Sequence, residues 1–292
     1  MYKGKKIAVL IPALNEEKTI AKVIILAKEY ADSIIVCDDG SSDMTGIIAK
    51  ELGAKIIRHD LNMGKGASLR DLINAVEDAD IVVTIDADMQ HDPRNIPMLI
   101  DTLLEYDADI VIASRFLDER YAKLPGYRMI GNKILNFVMG KAVSDSQSGF
   151  RAMKLKVAKD IVPSEMGFGA ESEMIFKAID KGYKIIEIPA YIRYDVDNPS
   201  KKNPIYHGLD ILASILKFYV IRHPLLTFGI PAFIFGVIAL ISGFLAIEFY
   251  NRTRILSTNL LIISGISLLL FAILATSAVL LFILITVVRE KK

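Results

Sequence analysis

The chain has no tryptophan, one cysteine and almost no net charge: 35 Lys and Arg stand against 34 Asp and Glu, leaving +1. Each shortage excludes something. One thiol rules out an intramolecular disulfide, and the place of Cys37 in the apolar run Ile34-Ile35-Val36-Cys37 marks it as a small buried hydrophobe. Near-neutrality gives no basic footprint for nucleic acid. Charge is also missing locally: between Leu225 and Val288 only Glu248, Arg252 and Arg254 carry it. Met1 to Lys6 leads directly into Ile7-Ala8-Val9-Leu10-Ile11, so no signal peptide is expected.

A helix needs about 20 apolar residues to cross a bilayer. Two runs are long enough, one from about Leu225 to Ile247 and one from about Leu260 to Val288, joined by a short connector from Glu248 to Asn259. They read as a transmembrane hairpin. Lys201, Lys202, Lys217 and Arg222 precede it, and Arg289, Lys291 and Lys292 follow it, so the positive-inside rule puts both ends in the cytosol. Arg252 and Arg254 in the outer connector oppose that orientation without reversing it. The sequon at Asn251 lies so close to the membrane that it is read as chance.

Ahead of the hairpin, apolar β-rich runs alternate with helical patterns. Strands are expected at Ile7–Ile11, Ile34–Cys37, Lys55–Arg58, Ile81–Ile85, Ile110–Ala113 and Ile185–Ile188, and helices at Glu17–Tyr30, Asp43–Leu52, Lys65–Val76, Pro93–Glu105 and Glu171–Lys181. Such alternation implies an α/β fold with a mostly parallel sheet covered by helices on both faces. Ligands of such sheets bind beyond the carboxyl ends of the strands, where the polar clusters of this chain fall. Two further segments are amphipathic. Arg128 to Val143 suits either core packing or membrane contact, and Pro204 to Val220 suits a helix lying on the membrane surface.

The segment after the fourth strand is Asp86-Ala87-Asp88-Met89-Gln90-His91-Asp92-Pro93. Alternate residues of an extended chain share a face, so Asp86 and Asp88 can serve one site. Hard oxygen ligands suit Mg²⁺ or Mn²⁺, which use one or two carboxylates plus substrate phosphates. A lone Asp-x-Asp is more often only a polar turn; its surroundings decide. Lys65, between Gly64 and Gly66 at a helix start, places an ammonium and backbone N–H groups where phosphate could approach.

Taken in order, Ile11-Pro12-Ala13-Leu14-Asn15-Glu16-Glu17, Asp38-Asp39-Gly40-Ser41-Ser42-Asp43, Asn62-Met63-Gly64-Lys65-Gly66, Asp86-Ala87-Asp88-Met89-Gln90-His91-Asp92-Pro93, Ala113-Ser114-Arg115 and Asp145-Ser146-Gln147-Ser148-Gly149-Phe150-Arg151 resemble family 2 glycosyltransferases of the GT-A fold. The nearer resemblance is to the polyprenyl- or dolichyl-phosphate sugar synthases, and it extends to about Arg193. It implies a Rossmann-like nucleotide-sugar domain over residues 1–200, an interfacial helix over 201–224 and two spans over 225–292 ending in a short cytosolic tail. It also implies roles. Pro12, Asn15, Glu16, Asp38, Asp39, Lys65, Asp86 and Gln147 would line the nucleotide-sugar pocket. Asp86, Asp88 and Gln90 would hold Mg²⁺ or Mn²⁺, with His91 in a supporting or turn role. Arg115, Arg128 and Arg151 would face the lipid phosphate, with Arg193, Lys201 and Lys202 extending the basic rim. Asp86, Asp88, Arg115 and Arg128 would form the catalytic set.

Donor diphosphate and acceptor phosphate are both anions; two unit charges about 4 Å apart at an effective dielectric of 20 repel by roughly 4 kcal/mol, so cationic groups are required. The implied reaction is displacement at the anomeric carbon by a lipid phosphate oxygen, with inversion and no strong general base. The two-span layout resembles that of the glucose-type synthases, which implies a UDP-hexose or UDP-N-acetylhexosamine donor with GDP-mannose an alternative, and the small membrane footprint is compatible with a homo-oligomer. A processive polysaccharide synthase is the nearest enzyme rival, but its Gln-x-x-Arg-Trp motif is impossible in a chain without tryptophan. A membrane-anchored, non-enzymatic nucleotide-sugar-binding protein is the rival from another class.

Overall fold

The computed structural model describes residues 1–117, 143–164, 169–190, 220 and 223–290. Arg128, Arg193, Lys201 and Lys202 lie outside the described residues, as do both amphipathic segments apart from Val143 and Val220. The chain divides into two compact units, Met1–Ala213 and Ser214–Lys292.

The first unit is built on a seven-stranded sheet: β1 (Ile7–Ala13), β2 (Ser33–Asp38), β3 (Lys55–Arg58), β4 (Ile81–Thr84), β5 (Ile110–Ser114), β6 (Arg151–Lys154) and β7 (Ile185–Pro189), in the order β3-β2-β1-β4-β6-β5-β7. β1 pairs in parallel with β2 and β4, and its residues Ile7 to Ile11 are wholly buried. That is why β1 is continuously apolar rather than alternating. All six strands expected from sequence are present. β6 is a seventh that its composition hid: four residues, two of them cationic. It runs antiparallel between β4 and β5, pairing Arg151 with Thr84 on one side and with Ile112 on the other. This reversal delivers the loop before β6 to the carboxyl ends of β4 and β5.

The helices are α1 (Ile20–Ala27), α2 (Thr45–Glu51), α3 (Lys65–Asn74), α4 (Ile96–Glu105, after a 3₁₀ turn Pro93–Asn95), α5 (Leu155–Asp160) and α6 (Ala170–Asp180). Three are shorter than their sequence pattern for local reasons. Asn15 adopts a left-handed φ of 55°, and the Glu16 carbonyl accepts from the amides of Thr19 and Ile20, so α1 begins late. Asp43 caps α2 by accepting from the Thr45 amide at 3.0 Å. Asp92 likewise accepts from the Arg94 amide, with Pro93 at the first position of the turn before α4. Cys37 is buried, as expected.

The second unit is a helical pair, α7 (Ile230–Thr253, preceded by a π-turn Leu225–Gly229) and α8 (Thr258–Glu290). Both are long and apolar enough to cross a membrane. They outrun the apolar stretches at the connector, where Glu248 and Arg252 pair one helical turn apart and Arg254 ends α7 at a left-handed φ of 59°. Ala232, Ala239 and Ala246 are buried at seven-residue intervals, Gly236 admits the Phe271 ring, and the Ser264 hydroxyl donates to the Ala239 carbonyl at 2.9 Å. Small residues thus bring the backbones together, as in membrane helix pairs. Phe233, Leu240, Phe244 and Ile247 point outward and are exposed.

Gly40 is the tightest turn at the sheet edge that carries the polar loops. Its φ is +76°, and an added Cβ would lie 2.7 Å from the Leu61 carbonyl carbon. Gly40→Ala is expected to destabilise the chain by about 1–3 kcal/mol. Denaturant unfolding in detergent measures the loss, and an unchanged midpoint would contradict the strain.

Candidate active site

The loops after β1 and β2 are stitched together. The Asn15 side-chain carbonyl accepts from the Ser42 amide at 2.9 Å, the Asn15 amide donates to Ser41 Oγ at 2.9 Å, and the Glu16 amide donates to Thr45 Oγ1 at 2.7 Å. Beneath them lie two buried carboxylates. Asp38 is fully buried; its oxygens accept from the Ser41 amide at 2.9 Å and from Arg58 Nη1 at 3.0 Å. Asp39 accepts from the amides of Met63 and Gly64, both at 2.9 Å, and lies 2.7 Å from His59 Nδ1. Asp38 thus uses one acceptor site on each oxygen to hold the loop. Asp39 organises the loop ahead of α3 by accepting from the Met63 and Gly64 amides. Pro12 is half-buried in β1 opposite Cys37.

Charged side chains are densest at the end of β4. Asp86 and Asp88 follow it, with Met89 at a left-handed φ of 61° turning the chain back so that the Gln90 amide donates to Asp88 Oδ1 at 2.9 Å. Lys65, the first residue of α3, lies 2.6 Å from Asp86 Oδ1 and 2.6 Å from Glu171 Oε1. Glu171 is a buried acid in the first turn of α6, where the helix end favours negative charge. The sequence reading had noted it only as a helix start. Lys65 thus stands as a bridge between two carboxylates rather than as a free ammonium. Thr84 Oγ1 donates to the Gly149 carbonyl at 2.8 Å and holds Gly149 against Asp86 so closely that a Cβ there would collide with the carboxylate.

The electrostatics follow. Burial would raise the Asp86 carboxyl, but Lys65 beside it outweighs burial and holds it below the ordinary range. Burial first, and then Asp86, push Asp88 up to about 6. Burial also raises Glu16, with Asp86 adding to the effect. Lys65 thus joins Asp86 and Glu171, while Asp88 and Glu16 feel the Asp86 charge. Among the described residues no group of three or more His, Cys, Asp or Glu forms a metal cage. Two carboxylates and an amide, with oxygens left for substrate, are nevertheless the donor set that Mg²⁺ or Mn²⁺ takes. Asp86, Asp88 and Gln90 fit such an ion, and the anion surplus calls for one. His91 is buried with its Nδ1 unpartnered, its ring 5.2 Å from that of Phe150, and burial pushes it down to about 4.

At the ends of β5 and β6 lies a second charge system. Arg115 grips Asp145 through both Nε and Nη2 at 2.6 Å, and its own amide donates to the same carboxylate at 3.0 Å. Glu187 of β7 accepts from the amides of Ser144 and Asp145 at 2.6 and 2.8 Å. Arg115 keeps about a fifth of its side chain exposed at 21%, whereas Asp145 is fully buried. The Gln147 amide donates to Asp145 at 3.3 Å, which sets that residue in the same loop. Arg151 is a correction. It is 1% exposed and donates to the carbonyls of Ser148, Glu171 and Ser146 at 2.7, 3.0 and 2.7 Å, so it braces the loop from below and does not face lipid phosphate.

Residues 8–162 match glycosyl transferase family 2, and the chain belongs to that family. It is a glycosyltransferase with a mixed α/β sheet of the GT-A type. Its relatives include the UDP-N-acetylglucosamine–dolichyl-phosphate N-acetylglucosaminyltransferase of Methanococcus voltae, 32% identical over 73% of this chain and 95% of that protein. The dolichol-phosphate mannosyltransferase of Pyrococcus furiosus is 30% identical over 73% of this chain and 64% of its own length. Among solved structures, glucosyl-3-phosphoglycerate synthase from Mycobacterium tuberculosis in complex with Mn²⁺, uridine-diphosphate and glucosyl-3-phosphoglycerate superimposes with a TM-score of 0.58 at 26% identity, covering 73% of this chain and 80% of that one.

Burial by itself would raise Asp145; the Arg115 guanidinium outweighs it and holds the carboxyl below its usual range. The pair therefore stabilises the fold above about pH 4 and loses that contribution as acid protonates the carboxylate. Arg115→Gln leaves a buried charge uncompensated and is expected to destabilise the chain by about 3 kcal/mol near neutrality. The gap from the unaltered chain should shrink below about pH 4, because the unaltered chain then loses the ion-pair contribution that the variant already lacks. Denaturant unfolding at both pH values measures this, and a constant gap would contradict it.

Proposed function

We propose that the chain is a membrane-bound inverting glycosyltransferase that moves a hexose from a nucleotide sugar to polyprenyl or dolichyl phosphate. The observation that carries this reading is the acid cluster at the end of β4, with Lys65 inside it and the Arg115 fork at the neighbouring strand end. Anion surplus on one side suits a cation-bound diphosphate; a partly exposed guanidinium on the other suits a second phosphate. Two apolar helices and the names of the relatives support a lipid acceptor.

In this reading Asp86, Asp88 and Gln90 hold Mg²⁺ or Mn²⁺, which when bound neutralises the departing diphosphate. Lys65 exchanges one carboxylate partner for diphosphate oxygen. Glu16 and Asn15 border the donor, and Gln147 approaches it from the loop before β6. Arg115, together with Arg128, takes the acceptor phosphate. That oxygen is already ionised near neutral pH, so positioning and charge stabilisation suffice. The catalytic domain and both termini face the cytosol, and the donor is a UDP-hexose or UDP-N-acetylhexosamine in preference to GDP-mannose.

The test is transfer of radiolabelled sugar from UDP-glucose, UDP-N-acetylglucosamine or GDP-mannose to a short polyprenyl phosphate. One donor should support chelator-sensitive transfer. Asp88→Asn should lower it by about a hundredfold or more while thermal unfolding stays near that of the unaltered chain. Near-normal turnover in that variant would refute the metal assignment.

A further inference from the structure

His59, just past β3, takes no part in the chemistry proposed above, yet it is the most fully engaged histidine of the sheet edge. It is 8% exposed. Its Nδ1 lies 2.7 Å from Asp39 Oδ1 and its Nε2 3.1 Å from Asp71 Oδ2, while its amide donates to the Asp38 carbonyl at 2.9 Å. A carboxylate oxygen accepts, so each ring nitrogen faces an acceptor, Nδ1 that of Asp39 and Nε2 that of Asp71. The other groups facing it are Arg70, whose Nε donates to Asp71 Oδ1 at 3.0 Å, and the Cys37 sulfur, 3.6 Å from Nε2. Cys37 remains a thiol there, since burial pushes it up to about 12.

The partners of His59 give the arrangement its meaning. Asp71 belongs to α3, whose first residue is Lys65. Asp39 holds the Met63 and Gly64 amides, the last residues before that helix. His59 therefore closes a ring: helix α3, through Asp71, to His59, to Asp39, to the loop that enters α3. Without it, Asp39 keeps its two amide donors but the tie from Asp39 to Asp71 is lost, leaving α3 placed by its buried face of Ala67, Leu69, Leu72 and Ile73.

We infer that His59 is a positioning residue for the donor, clamping Asp39 and Asp71 together so that the Met63–Gly64 turn and Lys65 are set before the nucleoside diphosphate arrives. The inference rests on the reading of this edge as a nucleotide-sugar pocket. It sets an order of importance: His59 governs how well the donor is held, not the rate once donor and acceptor are in place.

The experiment uses the full chain in detergent, with Mn²⁺ and either UDP or GDP as the probe. His59→Phe keeps the bulk and removes both ring nitrogens. His59→Asn keeps a donor at the position of Nδ1 and gives up the contact with Asp71. His59→Phe should weaken nucleotide affinity by about tenfold or more, raise KM for the nucleotide sugar with kcat little changed, and speed amide exchange at Met63 and Gly64. His59→Asn should recover most of the affinity. Nucleotide affinity in a folded His59→Phe equal to that of the unaltered chain, or no recovery in His59→Asn, would overturn the inference. If His59→Phe does not fold, Asp71→Asn decides, since it loosens the same ring from its half-open side. It should weaken nucleotide binding by a smaller factor, and unchanged binding overturns the inference. An unaltered chain that binds neither nucleotide overturns the reading of the pocket and the inference with it. An unaltered chain that binds, with variants that bind equally, overturns the inference alone.

Discussion

One ammonium among four carboxylates sets the terms for the active edge of this molecule. Lys65 bridges Asp86 and Glu171, and Glu16 and Asp88 complete the group. Like charges about 4 Å apart repel by roughly 4 kcal/mol at an effective dielectric of 20. One lysine offsets only part of such a cluster. The remainder shows in Asp88, which is raised to about 6 and takes up a proton more readily than an isolated aspartate. A divalent cation would discharge the same surplus more completely, which is the physical ground for the proposed metal site. Glu171 is tolerated because it sits at the N-terminal end of α6.

The acids of this edge fall into two sets with different duties. Asp38, Asp39 and Asp145 are buried and hydrogen-bonded, each to at least one backbone amide of a neighbouring loop and to a cationic or imidazole side chain. Buried networks of this kind fix loop geometry. Asp86, Asp88 and Glu16 are only partly buried and keep oxygen capacity for a ligand. The carboxylate-rich motifs thus serve construction and chemistry at once, and burial separates the two.

That separation explains what could be read from the sequence. The strand runs, the carboxyl-end clusters and the Asp86–Asp88 pair were legible because continuous apolar strands and short polar loops leave a strong pattern. The Asp38 bonds to Ser41 and Arg58 were not legible, because an Asp-Asp-Gly-Ser run looks the same whether its first carboxylate faces a ligand or its own turn. Arg151 was misread because a cation next to a polar loop suggests solvent, and only the fold shows three carbonyls around it. β6 was missed because four residues with Arg and Lys at the ends carry no periodicity. Glu171 and Lys65 are far apart in sequence, so their pairing had no local signal beyond an acid in a helix's first turn.

The loop before β6 ties both halves of the site to one rigid piece. At its start Asp145 holds the Arg115 fork, and four residues on, Gly149 packs against Asp86. Glu187 grips the loop's first amides, and Arg151 serves its carbonyls together with that of Glu171. A guanidinium is suited to this because its planar array of donors can satisfy several inward-facing carbonyls that an apolar side chain would leave unpaired. The spacing between the Arg115 guanidinium on one side and the Asp86 carboxylate on the other is therefore set by a short braced segment rather than by two independent loops. For the proposed reaction, which would bring two anions together, that fixed spacing is the constraint that matters most: it would hold the neutralising charges in place before either anion arrives, so that little reorganisation is left for the transition state.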